Sequence, residues 1–197
     1  MNIPNQLTML RMLLIPVFVA CFLYIPNALV AGLVACGIFI AASLTDMLDG
    51  KIARKYNLVT SFGKIMDPLA DKVLVFSAFL LLAVKLFEAD ALAGNIMIWA
   101  CVIVFLRELG ITSMRAVCAS GKQHVVVAAN MFGKLKTVTQ MLCIIVALVE
   151  YALVESCTLC CTAYIPTIVC IGLMLIMTVG SGINYIIKYL PNLKAEQ

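Results

Sequence analysis

The chain has 197 residues, 64% hydrophobic and only 12% charged, with a formal net charge of +4. Its mean hydropathy of +1.10 lies far above that of soluble globular domains. This excludes a water-soluble protein and leaves an integral membrane protein, read as one domain over 1–197 with no nucleic-acid partner expected.

Two stretches, 12–45 and 156–187, contain no Asp, Glu, Lys or Arg. Runs of that length read as membrane spans, since a spanning helix needs about 20 mostly apolar residues. Breaks in the apolar pattern divide the chain into six segments with cores near 9–25, 28–50, 61–85, 92–118, 130–150 and 163–187. Arg11 sits at the start of the first apolar run, and Pro26-Asn27 stands where a leader's cleavage site would be. The run is therefore read as a permanent helix, entered through a short interfacial stretch at "NIPNQLT", and not as a cleavable signal. Segments two and three meet at a turn near Tyr56-Asn57, three and four between Glu88 and Gly94, four and five at Gly121-Lys122. A cysteine cluster (Cys157, Cys160, Cys161) before Pro166 marks the last connection. The expected fold is all-α, with six transmembrane helices.

Basic residues orient the segments. With six spans, every Lys and Arg except Lys85 falls on the side that holds the N-terminus. Cytoplasmic loops carry the excess of Lys and Arg, so both termini are expected in the cytoplasm. That basic face attracts anionic lipid headgroups and anionic substrates. Glu150 and Glu155 fall on the opposite side and read as solubilising loop charge, and the lone His124 reads as a solvated loop residue. Most of the nine cysteines lie in apolar segments and read as small packing residues. The cluster lacks the histidine or second cysteine pair that zinc requires, and a disulfide there is open only if that loop faces an oxidising compartment.

The stretch "SLTDMLDGKIARKYNLVTSFGKIMDPLADKVL" concentrates the charge. Asp46 and Asp49 are spaced i, i+3, and Asp67 and Asp71 i, i+4, so each pair shares a helix face. Two neighbouring helices can thus present four carboxylates to one point. Like charges so close repel unless a cation neutralises them. Each aspartate could pair with Lys51, Arg54, Lys64 or Lys72, but four together at a bilayer edge point to function. Ligands that are all oxygen suit Mg²⁺, Mn²⁺ or Ca²⁺, and the nearest chemistry is phosphoryl transfer. Gly50 either leaves room for a ligand or lets helices pack closely.

These residues form the pattern Asp46-x2-Asp49-Gly50-x2-Ala53-Arg54-x8-Gly63-x3-Asp67-x3-Asp71. It resembles the signature of the CDP-alcohol phosphotransferases. The resemblance implies six transmembrane helices, a homodimer, an active site on the cytoplasmic side, and displacement of CMP from a CDP-linked lipid by an acceptor hydroxyl. It further implies that Asp46, Asp49, Asp67 and Asp71 hold two divalent ions (Mg²⁺ or Mn²⁺), with Asp71 also the general base. Gly50 and Arg54 match positions that contact the cytidine diphosphate. Thr60, and Asn5 and Thr8 in "PNQLT", match further nucleotide contacts.

The acceptor is read from the remaining polar residues. Arg107 and Arg115 lie i, i+8 in "FLRELGITSMR", and Lys134 and Lys136 lie in "FGKLKT". They are either ordinary flanking cations or a pocket for an acceptor phosphate. Arg107 lies inside an apolar helix and calls for an anionic partner, either Glu108 or a ligand phosphate. Together with "MNIPNQLTMLR", "FGKIMDPLADK" and "GKLKT", these segments are similar to bacterial family members of the cytoplasmic membrane that join CDP-diacylglycerol to sn-glycerol 3-phosphate. Alternative acceptors are inositol phosphate, serine and phosphatidylglycerol. A divalent-cation transporter would place its carboxylates near the midplane in paired broken helices, and a non-catalytic scaffold has no need of four clustered aspartates.

Overall fold

The computed structural model describes residues 3–55, 61–120, 131–156 and 164–194, with side chains at 6–46, 66–114, 133, 135–156 and 164–187. The described elements are all helical: α1 (Ile3–Tyr24), α2 (Ala28–Lys55), α3 (Ser61–Ala89), α4 (Ala91–Ser120), α5 (Met131–Glu155) and α6 (Ile165–Lys194). Five of them, all but α3, are long and apolar enough to cross a membrane. In α3 the uncharged run 73–84 is bracketed by Asp67, Asp71 and Lys72 on one side and Lys85 and Glu88 on the other. The "NIPNQLT" stretch is helical from Ile3 and continuous with α1. The Tyr56-Asn57 turn, Thr60, Gly121-Lys122, His124 and the cysteine cluster lie outside the described residues.

Local chemistry sets the helix boundaries. Asn27 follows Pro26 and caps α2: its Oδ1 accepts the Val30 N–H at 3.2 Å, and its carbonyl accepts the Ala31 N–H at 2.8 Å. Asp90 alone separates α3 from α4. Its Oδ1 accepts the N–H groups of Leu92 and Ala93 at 2.8 and 3.2 Å. This turn needs Gly94, because a Cβ there would lie 2.3 Å from Phe87 Cα.

The helix pairs close a ring, α1–α2–α5–α6–α4–α3 and back to α1, and α3 also touches α5 and α2 across it. Phe18, Phe22, Phe39, Phe79 and Leu82 fill the centre, fully or almost fully buried. Gly32 lets α2 meet α5 closely, since a Cβ there would lie 2.6 Å from Ala152 Cβ and 2.9 Å from the Leu148 carbonyl. The outer surface is apolar: Leu13, Leu80, Trp99 and Ile176 are each more than 60% exposed. Large apolar patches are rare on soluble monomers and here fit a lipid-facing surface. Cys36 and Cys143 are buried, and with Cys21, Cys101 and Cys170 they are free thiols, as expected of packing residues.

The structure corrects the reading of Glu150 as loop charge. It lies within α5, 8% exposed, and its Oε2 accepts the Thr167 N–H at 2.8 Å and the Thr167 hydroxyl at 2.5 Å. It thus caps the first turn of α6 from a neighbouring helix, satisfying a backbone donor that α6 cannot satisfy itself. Glu155 is exposed at the end of α5 and accepts a long hydrogen bond, 3.4 Å, from the Tyr164 hydroxyl. Tyr164 enters α6 with φ 48°. Burial, with Glu155 beside it, pushes its hydroxyl pKa above the ordinary value. Glu150→Ala strands the Thr167 donors and is expected to cost about 1–3 kcal/mol. Glu150→Gln retains an acceptor and is expected to preserve most of that stability, as read by thermal unfolding in detergent.

Candidate active site

Most of the charged side chains described gather at the end of the bundle where α2 and α4 finish and α3 and α5 begin. On α1, Thr8 and Arg11 are three residues apart and share a face; they are 1% and 0% exposed. Thr8 Oγ1 donates to Asp67 Oδ1 on α3 at 2.5 Å. Arg11 Nη1 pairs with Asp46 Oδ1 on α2, also at 2.5 Å. One turn of α1 therefore grips both acidic helices. Asp46 interacts electrostatically with Asp67 and with Asp71, while Asp71 also feels Arg11, Lys136 and Lys72.

A second cluster faces the first. Lys136 on α5 is buried and pairs with Glu108 Oε1 on α4. Arg107 Nη1 donates to the same oxygen at 3.2 Å, and its Nη2 donates to Ser181 Oγ on α6 at 2.8 Å. Lys72 Nζ donates to Thr112 Oγ1 at 2.6 Å, joining α3 to α4. Between the clusters lies a cavity of about 70 Å³. Its polar lining is Asp71, Lys72, Glu108, Lys136, Thr137 and Gln140, and its apolar lining is Val75, Phe76 and Val104. Two other grooves, of about 390 and 330 Å³, are almost wholly apolar. The small cavity has room for a small polar molecule, not for a lipid chain.

Of the residues singled out in the sequence, Thr8, Asp46, Asp67, Asp71 and Lys136 come together here. Arg107 has Glu108 as its anionic partner, but it does not line the cavity. Asn5, Asp49, Gly50, Arg54, Arg115 and Lys134 lie in described helices, with side chains outside the described set; Thr60 lies outside it altogether. Among the described residues, no three His, Cys, Asp or Glu side chains form a ready group for a metal ion. The donor chemistry nevertheless fits a hard divalent cation: the acidic side chains offer oxygen only, from two helices, within electrostatic range of one another.

Sequence reasoning missed Arg11, which it read only as a flanking cation. Its i, i+3 relation to Thr8 was the available signal. It also missed Gln140, a lone amide in an apolar stretch, i+4 from Lys136. The ion pairs proposed for the aspartates (Lys51, Arg54, Lys64, Lys72) did not include Arg11, the partner that Asp46 has.

Comparison with known proteins decides the family. The model of the CDP-alcohol phosphatidyltransferases matches residues 1–181. The chain belongs to this family. The match spans both clusters and every residue around the cavity. Among its phosphatidyltransferase relatives, the CDP-diacylglycerol–glycerol-3-phosphate 3-phosphatidyltransferase of Bacillus subtilis (strain 168) is 42% identical over 156 residues, covering 73% of this chain and 74% of the relative. The protein of the same name from Rickettsia typhi is 43% identical over 140 residues, 71% and 72% of the two chains. A probable phosphatidylglycerophosphate synthase of Mycobacterium tuberculosis (strain H37Rv) is 34% identical over 194 residues, 98% of this chain and 83% of that one.

The pairing of Arg11 with Asp46 is testable without substrate. Removing one partner of a buried ion pair costs about 3–5 kcal/mol; the side chain of Asp46 is 33% exposed, so the cost here is expected below that range. In a double-mutant cycle of Arg11→Met and Asp46→Asn, the double variant is expected to be more stable than the sum of the single losses by more than about 0.5 kcal/mol. Strict additivity in thermal unfolding would refute the pair.

Proposed function

We propose that this family member transfers the phosphatidyl group of CDP-diacylglycerol to sn-glycerol 3-phosphate, giving phosphatidylglycerol phosphate and CMP. The observation that carries the reading is the small cavity that Asp71, Lys72 and Lys136 line together. A candidate base and the cations for a phosphorylated acceptor line the same space. The activities for which the relatives are named agree with it. Serine offers no phosphate for those cations.

In this reading Asp46, Asp49, Asp67 and Asp71 hold two divalent cations, Mg²⁺ or Mn²⁺. Bound there, the ions neutralise the pyrophosphate oxygens and the charge that develops in transfer. Thr8 orients Asp67 and Arg11 orients Asp46, each through one carboxylate oxygen. Asn5, Thr8, Gly50, Arg54 and Thr60 contact the cytidine diphosphate. Lys136, Lys134, Arg107 and Arg115 receive the acceptor phosphate, for which Glu108 stands in when Arg107 and Lys136 both bind it. Asp71 takes the proton of the acceptor's primary hydroxyl. That oxygen bonds to the β-phosphorus, the bond from that phosphorus to the CMP oxygen breaks, and CMP leaves. A placed base contributes typically about 10²–10⁴-fold. The chain crosses the bacterial cytoplasmic membrane six times with α3 as the sixth span, both termini and the site face the cytoplasm, and two copies form a homodimer. The one-sided distribution of Lys and Arg supports this orientation.

The direct test supplies purified protein with CDP-diacylglycerol, labelled sn-glycerol 3-phosphate and Mg²⁺, and scores CMP and lipid product. Turnover with inositol phosphate or serine in place of glycerol 3-phosphate would overturn the acceptor. EDTA is expected to abolish turnover, and Mg²⁺ or Mn²⁺ to restore it. Asp46→Asn and Asp67→Asn are each expected to raise the metal requirement or eliminate activity. Arg107→Ala is expected to raise the KM for glycerol 3-phosphate by about 10- to 150-fold, the equivalent of about 1.5–3 kcal/mol for a hydrogen bond to a charged group, while the KM for CDP-diacylglycerol stays nearly constant. Equal effects on both substrates would mean that Arg107 only ties α4 to α6.

A further inference from the structure

We infer that Gln140 reads the secondary hydroxyl of the acceptor, and thereby selects a three-carbon polyol phosphate over simpler alcohol phosphates. The inference rests on the phosphatidyl-transfer reading above. Gln140 is 3% exposed, and its amide Nε2 is enclosed with no hydrogen-bond partner among the described residues. Buried amide donors are nearly always paired, because an unmade hydrogen bond is costly. Gln140 is also one of the residues that line the cavity, and a donor left unpaired beside such a space is a place for a ligand's acceptor atom.

The surroundings narrow what that atom is. Lys136 and Gln140 are spaced i, i+4 on α5, so they share a face one turn apart, and both line the cavity with Asp71. Thr137, also in the lining, donates its hydroxyl back to the Gly133 carbonyl at 3.1 Å. Glu108 Oε1 is taken by Lys136 and Arg107. Nε2 is a neutral amide donor, unlike the cations that suit a phosphate. An acceptor that gives its phosphate to Lys136 and its attacking hydroxyl to Asp71 spans the cavity with its carbon chain. In glycerol 3-phosphate the middle carbon carries a hydroxyl, whose oxygen accepts the Gln140 N–H. An acceptor of the same length with a bare methylene there leaves the amide unpaired in the complex, and sites built to bond a substrate hydroxyl reject such analogues strongly.

The experiment compares sn-glycerol 3-phosphate with 3-hydroxypropyl phosphate, which lacks only the secondary hydroxyl, in the wild-type protein and in Gln140→Met. Wild type is expected to favour glycerol 3-phosphate in kcat/KM by about tenfold or more. In Gln140→Met the ratio is expected to fall within about threefold of unity, with the loss confined to glycerol 3-phosphate and the KM for CDP-diacylglycerol unchanged. Methionine matches glutamine in length and removes the unpaired donor, so thermal stability in detergent is expected to hold. A wild-type ratio near one, or an unchanged ratio in the variant, would overturn the inference while leaving the transfer reading intact. If the variant does not accumulate, the wild-type ratio alone decides. Turnover of neither acceptor by the wild-type protein would overturn the transfer reading and this inference with it.

Discussion

A guanidinium cannot lie fully buried among apolar helices without a counter-charge, and at Arg11 that charge comes from Asp46. Removing an ionised group from water is expensive unless it is paired and hydrogen-bonded. The pair therefore fixes how α1 sits on α2, and the Thr8–Asp67 bond, one turn earlier, fixes how it sits on α3. With α1 so anchored, acidic side chains from two helices stand near one another. Their mutual repulsion is tolerable because a cation sits within the group.

The opposite cluster inverts the arrangement. Arg11 serves two carboxylates, Asp46 and Asp71; at Glu108 a single carboxylate serves two cations, Arg107 and Lys136. Arg107 carries the chain of polar contacts on to Ser181 of α6. The polar network thus reaches every helix of the ring, at the end where the helices are most charged. The same helices hold together elsewhere through Phe18, Phe22, Phe39 and Phe79. Polar contacts set register and orientation, and apolar packing supplies most of the cohesion.

Much of this was readable from the chain. The helices follow from charge-free runs and from punctuation at Pro26-Asn27 and between Glu88 and Gly94, since turns and caps act locally. The acidic pairs follow from i, i+3 and i, i+4 spacing. The Arg11–Asp46 pair does not, because it joins residues that no helical periodicity relates; only the packing of α1 on α2 brings them together. Glu150 was misread for the same reason. Its position near the end of a segment suggested a solvated charge, but its partner, Thr167, lies on the next helix. Gln140 passed without notice because one amide in an apolar helix has many uses. Only the enclosed, unpaired Nε2 separates them.

The single-residue connection at Asp90 has a mechanical consequence. With no slack at that end, α3 and α4 are braced as one hairpin, held along its length by Phe76 against Phe105 and by Lys72 against Thr112. Asp71 and Lys72 ride on one arm of this hairpin and Glu108 on the other. The spacing of all three is therefore set within the hairpin itself. Lys136 and Gln140 belong to α5, outside the hairpin, and the Lys136–Glu108 ion pair is the strut that sets the distance between the two across the cavity.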